Sequence, residues 1–214
     1  MTKNVLCYGD ANTWGCVPIE SMDNIQRFSR EERWTGVLQK HLGDDYYVIE
    51  EGCPARTTVW DDPIEGDKNG KSHLRHILSS HQPLDLVMIL LGTNDLKARF
   101  GVRAYDIALS AGTLVSMVRD QFFYLGETPQ VLLLAPPPVY DELPEFFEEI
   151  FYGAQEKSKK FGQYFKQVAE DHQCGFLDTG TVITSSEVDA IHFDINAHTN
   201  LANALANKVR AMIG

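Results

Sequence analysis

Two hydrophobic periodicities alternate along this chain from end to end. Five short apolar runs, mostly rich in β-branched or aromatic residues and bounded by Gly, Pro, Asn or Asp, predict buried strands at 5–8, 47–49, 86–91, 131–135 and 175–177. Apolar residues at helical spacing form stripes within 34–42, 107–118, 161–168 and 201–212. Strands that alternate with helices form βαβ units, so their sheet is mainly parallel and covered on both faces.

The alternation therefore predicts an α/β fold, a three-layer α/β/α doubly wound domain around a mainly parallel, five-stranded sheet. The 214 residues fit one domain, 1–214, with a proper core. Residues 136–153 stand apart, because they start with three prolines and then mix aromatic residues with acids. We expect a loop and a short helix there that cover the site or form a contact in a homo-oligomer, since exposed apolar clusters usually mark interfaces.

Charge and composition exclude several classes of partner. Thirty acidic against 19 basic residues give a formal net charge of -11, which argues against nucleic acid, because phosphate binding needs a basic surface. No apolar run approaches the ~20 residues of a membrane-spanning helix, and the first residues do not fit a signal peptide, so we expect a cytoplasmic protein. The four cysteines lack metal-site spacing, so we expect free thiols without a functional role, and no metal or other cofactor.

Three polar motifs follow the predicted strands or precede the last helix. They are residues 9–15 (GDANTWG), 92–95 (GTND) and 189–192 (DAIH). Ligands of doubly wound sheets bind beyond the carboxyl ends of the strands, where these loops would meet. Each motif is common by itself, but their joint placement indicates one site.

The residue types in these loops indicate acyl chemistry. Asp189 precedes His192 by three positions, so its carboxylate can accept the Nδ1 proton and leave Nε2 as a general base. The Asn94 amide and the backbone N–H of Ala11 suit the stabilisation of an oxyanion. What the first loop lacks is a hydroxyl or thiol at position 11.

Four further loop residues are candidate substrate-binding residues: Asp10, Trp14, Arg56 and Lys97. We expect Asp10 chiefly to support its loop by accepting backbone N–H bonds. Trp14 either forms a wall for the acyl or alcohol group or packs as an ordinary aromatic residue. Arg56 and Lys97 either steer a polar leaving group or are simply exposed to solvent.

The three motifs resemble the blocks of the SGNH (GDSL) hydrolases, whose first block reads Gly-Asp-Ser. Residues 33–38 (RWTGVL), 50–52 (EEG) and 55–58 (ARTT) are similar to the arylesterase and acyltransferase branch of that family. The resemblance spans nearly the whole chain. It implies the SGNH, flavodoxin-like form of the predicted fold, a small ester as substrate, and a narrow pocket assembled with neighbouring subunits.

The resemblance also implies a role for individual positions. The family's nucleophilic serine falls on Ala11, its general base on His192 and its orienting acid on Asp189. Its oxyanion hole falls on the N–H of Ala11, the N–H of Ala55 and the side chain of Asn94. The implied reaction is attack by a serine hydroxyl on a small carboxylic ester, with transfer of the acyl group to water or another alcohol.

Ala11 departs from this pattern, because alanine has no atom that can attack an ester. Either the chain is a nucleophile knockout of an active esterase, or it is a natural pseudoenzyme that binds carbohydrate esters. The retained His192, Asp189 and Asn94 favour the knockout, since a protein without catalysis does not need this geometry. A third alternative is a metal-dependent phosphoesterase that uses Asp10, Asn94, Asp95 and His192, although hard cations prefer more carboxylates and histidines than these loops supply.

The negative charge is unevenly distributed. Residues 44–67 hold eight acids and one base, and residues 141–149 hold five acids and no base. We expect both segments near the mouth of the site. A negative rim predicts a preference for neutral over anionic esters.

Overall fold

The computed structural model describes residues 2–123 and 128–214. Its sheet has five strands in the order β2-β1-β3-β4-β5, and every neighbouring pair is parallel. The strands are β1 (Lys3–Gly9), β2 (Tyr46–Gly52), β3 (Leu86–Leu90), β4 (Gln130–Ala135) and β5 (Gly175–Asp178). The predicted α/β fold with a doubly wound five-stranded sheet is confirmed.

Four helices coincide with the predicted apolar stripes: α2 (Trp34–Leu42), α4 (Ala104–Phe122), α7 (Phe161–Asp171) and α8 (Ile195–Ile213). The sequence pattern missed α3 (Gly70–His81) and two short helices, α1 (Ala11–Trp14) and α6 (Ala154–Ser158), whereas α5 (Glu145–Glu148) is the short helix expected within 136–153. Short 3₁₀ turns span Asn94–Leu96, Ala98–Phe100 and Thr179–Thr181. Within the described residues, no helix combines the length and apolar character that a membrane crossing requires.

Alternate residues of the strands face two separate apolar cores, one on each side of the sheet. In β1, Leu6 and Tyr8 pack with α3, α4 and α7, whereas Val5 and Cys7 pack with α2 and α8. All five residues of β3 are buried. Two buried faces explain why the strands are continuously apolar.

The register of the sheet brings the carboxyl ends of three strands to one place. Gly9 of β1 pairs with Gly52 of β2 and with Leu90 of β3. A side chain at Gly52 would collide with the backbone nitrogen of Trp14, since a Cβ there would lie 2.1 Å from it. Glycine at 52 therefore lets α1 lie directly against the end of β2.

Residues 136–153 form a loop with the short helix α5, and much of their aromatic surface is turned inward. Phe147 and Phe151 are buried and stack edge to face, with ring centroids 5.3 Å apart. Ala98 donates to the carbonyl of Ile150 at 2.7 Å, which fixes the segment to the loop after β3. Tyr152 is 75% exposed. Of the two roles expected for this segment, a cover over the site and a subunit contact, Phe147 and Phe151 fit the first, because both are buried and line a cavity.

Candidate active site

The loops after β1, β2 and β3 and the loop before α8 surround one cavity of about 180 Å³. Its polar wall is formed by Asp10, Ala11, Asn94 and His192. The opposite wall is mainly apolar and includes Ile19, Met22, Ile25, Phe147, Ile150, Phe151 and Ile191. The three motifs singled out in the sequence therefore meet at one small, largely apolar site.

Asp189 orients His192 through a short hydrogen bond, with 2.6 Å between Oδ2 and the imidazole Nδ1. The carboxylate is fully buried and also accepts the N–H groups of Ile191, His192 and Ile19, at 3.1, 2.9 and 2.6 Å. These bonds fix the carboxylate before any ligand binds. Nε2 is left as the ring nitrogen that can exchange a proton with a nucleophile.

The electrostatics of this pair stabilise the charge that the imidazole gains when it accepts a proton. Burial raises the pKa of Asp189, but hydrogen bonds from His192 and Ile19 and the imidazole charge bring it below its usual value. Burial lowers the pKa of His192, yet the hydrogen bond to Asp189, followed by the neighbouring Cys16 thiol, raises it above its usual value. The site thus stabilises the imidazolium that a general base becomes when it takes a proton.

Ala11 begins α1, where a backbone N–H has no partner inside the helix. Asp10 precedes it as the N-cap and accepts the N–H of Asn12 at 3.0 Å. The Asn94 amide lies 3.4 Å from the other oxygen of Asp10, and both side chains are buried. Burial raises the pKa of Asp10 to about 6, although the bond from Asn12 opposes this rise.

Ala55 lies in a tight turn of residues 53–56, which the N–H of Arg56 closes by bonding to the carbonyl of Cys53 at 3.1 Å. Pro54 in the second position and a φ of +66° at Ala55 are typical of a type II turn. The closing bond does not use the N–H of Ala55. Ala55 lines the same cavity as Ala11 and Asn94, the other two residues expected to form an oxyanion hole.

The model of the GDSL-like lipase/acylhydrolase family matches residues 7–202 of the chain. The chain belongs to this family. Membership places it among the carboxylic ester hydrolases, in agreement with the arrangement of Asp189 and His192.

Two solved esterases are similar to this family member over nearly their whole length. The native aryl esterase of M. smegmatis has 42% sequence identity and a TM-score of 0.95, covering 99% of this chain and 100% of its own. A carbohydrate acetylesterase from Sinorhizobium meliloti has 40% identity and a TM-score of 0.94, with coverages of 98% and 99%. No curated protein matches the chain.

Three of the four candidate substrate-binding residues have other tasks in this GDSL-family chain. Asp10 faces the cavity, but its carboxylate is engaged by Asn12 and Asn94, so it positions the loop. Arg56 is neither exposed nor on the cavity, because it is buried over the Tyr8 ring and donates to the carbonyl of Gly9 at 2.9 Å. Both roles considered for Arg56 are therefore wrong.

Trp14 does not line the cavity, so the prediction of a substrate wall is wrong and ordinary packing is correct. Its ring lies under the guanidinium of Arg27, 4.8 Å from the centroid. Lys97 does line the cavity, but it is 3% exposed, which overturns the expectation of a solvated side chain. It pairs with Glu65 and lies 3.7 Å from Asp62, so its charge is already balanced.

The sequence did not identify two residues that lie at the site, Asn12 and Cys16. Asn12 bonds to the carbonyl of Ile191 at 3.2 Å and accepts the N–H of Phe193 at 3.1 Å, which ties the first loop to both sides of His192. Cys16 is a free, buried thiol, as expected, but it also lines the cavity with His192, which the sequence did not indicate. Single polar or thiol side chains give no periodic signal, so only tertiary structure shows these contacts.

Apart from Ala55, the residues described in the blocks that resemble the arylesterase branch are structural supports. Arg33 binds Glu50 through two nitrogens, at 2.9 and 2.6 Å. Thr58 donates its N–H to both oxygens of Asp95 at 3.1 Å. Asp95 therefore faces Thr58, and the described residues contain no group of three His, Cys, Asp or Glu side chains suited to hold a metal.

Proposed function

We propose that this chain is the inactive Ala11 form of a serine esterase that acts on small, neutral carboxylic esters. One observation carries the proposal. Ala11, Ala55, Asn94 and His192 line one cavity and Asp189 bonds to His192, an arrangement that supports roles as oxyanion donors, base and orienting acid and lacks only an attacking hydroxyl. A nucleophile knockout has this arrangement by necessity, whereas a pure binding protein has no need of it.

The size of the cavity supports a small substrate. About 180 Å³ is below the ~300 to 1,000 Å³ of sites that hold drug-sized ligands. Phe147 and Phe151 close the apolar side, so a short acyl group fits better than a long one. The similar structures, an aryl esterase and a carbohydrate acetylesterase, favour an acetyl ester but leave two kinds of alcohol open.

With serine at position 11, the reaction follows from the geometry. The hydroxyl gives its proton to Nε2 of His192 as its oxygen attacks the carbonyl carbon. The N–H groups of residues 11 and 55 and the Asn94 amide hold the negative oxygen. The imidazolium then protonates the departing alcohol, and water or a second alcohol takes the acyl group by the same steps in reverse order.

Ala11→Ser tests the proposal directly. We expect hydrolysis of a small aryl acetate to rise by a factor on the order of 10⁴ or more, since the nucleophile is the residue whose loss costs most. A panel of acetyl, butyryl and longer esters should show activity falling with acyl length. Ala11→Gly, which opens the same position without adding a hydroxyl, should stay inactive.

A folded but inactive Ala11→Ser protein would overturn the proposal, as would a normal serine-esterase rate from the unaltered chain. Loss of Ala11→Ser activity on treatment with a chelator would favour the metal-dependent alternative. The amino acid that the source gene encodes at position 11 distinguishes a knockout from a natural pseudoenzyme. A homo-oligomer remains a prediction. The exposed apolar side chains of Ile64 and Tyr152 would be candidate contacts in it.

A further inference from the structure

Cys16 is brought into the catalytic cavity by the turn that ends α1. The N–H groups of Gly15 and Cys16 both bond to the carbonyl of Ala11, at 2.8 and 2.9 Å. Gly15 has a φ of +93°, a conformation that glycine adopts without strain. The turn folds the chain back, so Cys16 lines the same cavity as Ala11 and is 2% exposed.

The Cys16 thiol lies close to an imidazole as well as to a backbone carbonyl. It donates to the carbonyl of Val17 at 3.4 Å, and it lines the same cavity as His192, whose pKa it helps to raise. Because Asp189 holds Nδ1, His192 offers its other ring nitrogen to partners in the cavity. A thiol next to an imidazole that a carboxylate orients has the parts of an activated cysteine nucleophile.

The other three cysteines are in different surroundings. Cys7 is fully buried in β1, and burial raises its pKa. Burial likewise raises the pKa of Cys174, which lies at the start of β5. Cys53 is 4.0 Å from the Lys68 amine, and none of these three lines the cavity. They therefore serve as internal controls for ordinary thiol reactivity.

We infer that Cys16 is a second nucleophile of this site and is acylated by small activated esters that enter the cavity. The thiol proton passes to Nε2 of His192 while sulfur bonds to the ester carbonyl carbon. The carbon–oxygen bond to the alcohol then breaks, and the alcohol leaves with the proton from the imidazolium. The product is a thioester on Cys16. This inference rests on the proposed function, because the ester must bind in the cavity.

The experiment treats the unaltered chain with p-nitrophenyl acetate and locates the acetyl group by intact-mass and peptide mass spectrometry. We expect one acetyl group per chain, on Cys16, removable by neutral hydroxylamine as a thioester is. Cys16→Ser should lose the label, and Cys174→Ser should keep it. His192→Gln should slow labelling at least ~100-fold, the usual contribution of a general base.

A parallel reaction with iodoacetamide measures the reactivity of the Cys16 thiol and does not depend on the binding of an ester. The His192→Gln substitution should also slow this alkylation of Cys16. Acetylation spread over several cysteines, or independent of His192, would overturn the inference. Active Ala11→Ser protein with no acetyl group on Cys16 in the unaltered chain would overturn it while leaving the proposed function intact. Inactive Ala11→Ser protein together with His192-dependent acetylation of Cys16 would support the inference and count against the proposed function.

Discussion

Ala55 has a backbone conformation that a residue with a Cβ adopts only under strain. Its φ of +66° lies in the left-handed region, which costs a non-glycine residue about 1 to 2 kcal/mol. A type II turn needs this φ at its third residue, and Ala55 also lines the cavity. The strain therefore lies at the cavity, as strained backbone often lies at functional sites.

Ala55→Gly should raise the free energy of unfolding by up to about 1 kcal/mol, because relief of the φ strain exceeds the entropy that glycine gains in the unfolded chain. Urea denaturation measures the change. Ala204→Gly, in the middle of α8, is the matched control and should lower stability by about 0.5 to 1 kcal/mol. Equal losses at both positions would show that Ala55 is not strained.

The sequence was sufficient for residues whose role follows from spacing and residue type. Asp189 and His192 are three positions apart on one turn, so their contact is local and readable. Arg56 and Lys97 were misjudged because charged side chains are usually exposed. Their burial depends on partners distant in sequence, the Gly9 carbonyl for Arg56 and Glu65 for Lys97.

At the level of elements, a histidine of α8 caps the start of α2. The N-cap residue of α2, Arg33, makes no capping bond with its side chain. The Nδ1 of buried His198 instead accepts the N–H of Trp34 at 3.1 Å. The His198 ring lies edge to face against Phe28 and Phe193, and burial lowers its pKa to about 4.

His198→Leu should lower the free energy of unfolding by about 1 to 3 kcal/mol, since the buried N–H of Trp34 loses its acceptor. The depressed pKa also sets a pH dependence. Between pH of about 6.5 and about 4 the unfolded chain binds a proton that folded His198 resists, so this residue makes stability fall as pH falls.

Urea denaturation at pH 7 and pH 5 tests both effects. His198→Leu should lose less stability between these two pH values than the unaltered chain does. His76→Leu, at an exposed position of α3, is the control and should keep the full pH dependence. An unchanged difference in His198→Leu would assign the pH dependence to other groups.

Helices were predictable where an apolar face is dense. Helix α4 buries eleven residues and α8 buries seven, and both stripes stand out in the sequence. Helix α3 buries only Gly70, Leu74 and Leu78, and its remaining positions are largely polar. Two leucines one turn apart do not separate a helix from a loop, although Asn69 does cap its start.

Over the whole molecule, the negative charge is only partly balanced near the site. Glu65 lines the cavity and pairs with Lys97, while Asp62 pairs with Arg99 at 3.0 Å. The net charge of -11 remains, so the surrounding potential should repel anionic substrates. The predicted preference for neutral esters thus depends on long-range charge more than on a single side chain at the rim.

The preference for neutral esters could come from long-range charge or from a single side chain at the rim. The salt dependence of the Ala11→Ser enzyme distinguishes these two origins. Raising ionic strength from about 0.02 M to about 0.5 M shortens the screening length severalfold. We expect kcat/KM to rise at least about twofold for an acetate ester with a carboxylate on its alcohol. A neutral ester of similar size should change little, and equal responses of the two esters would argue against electrostatic selection.

The contacts of Asn12 join parts of the chain that are very distant in sequence. Its partners Ile191 and Phe193 lie 179 and 181 residues further on, with most of the sheet between them. Such non-local pairings are slow to form, because closing a long stretch of chain costs entropy. During synthesis, β1 and its loop leave the ribosome long before the partners that complete their site. Catalytic competence in an Ala11→Ser protein would therefore report that the first and last parts of the chain have come together.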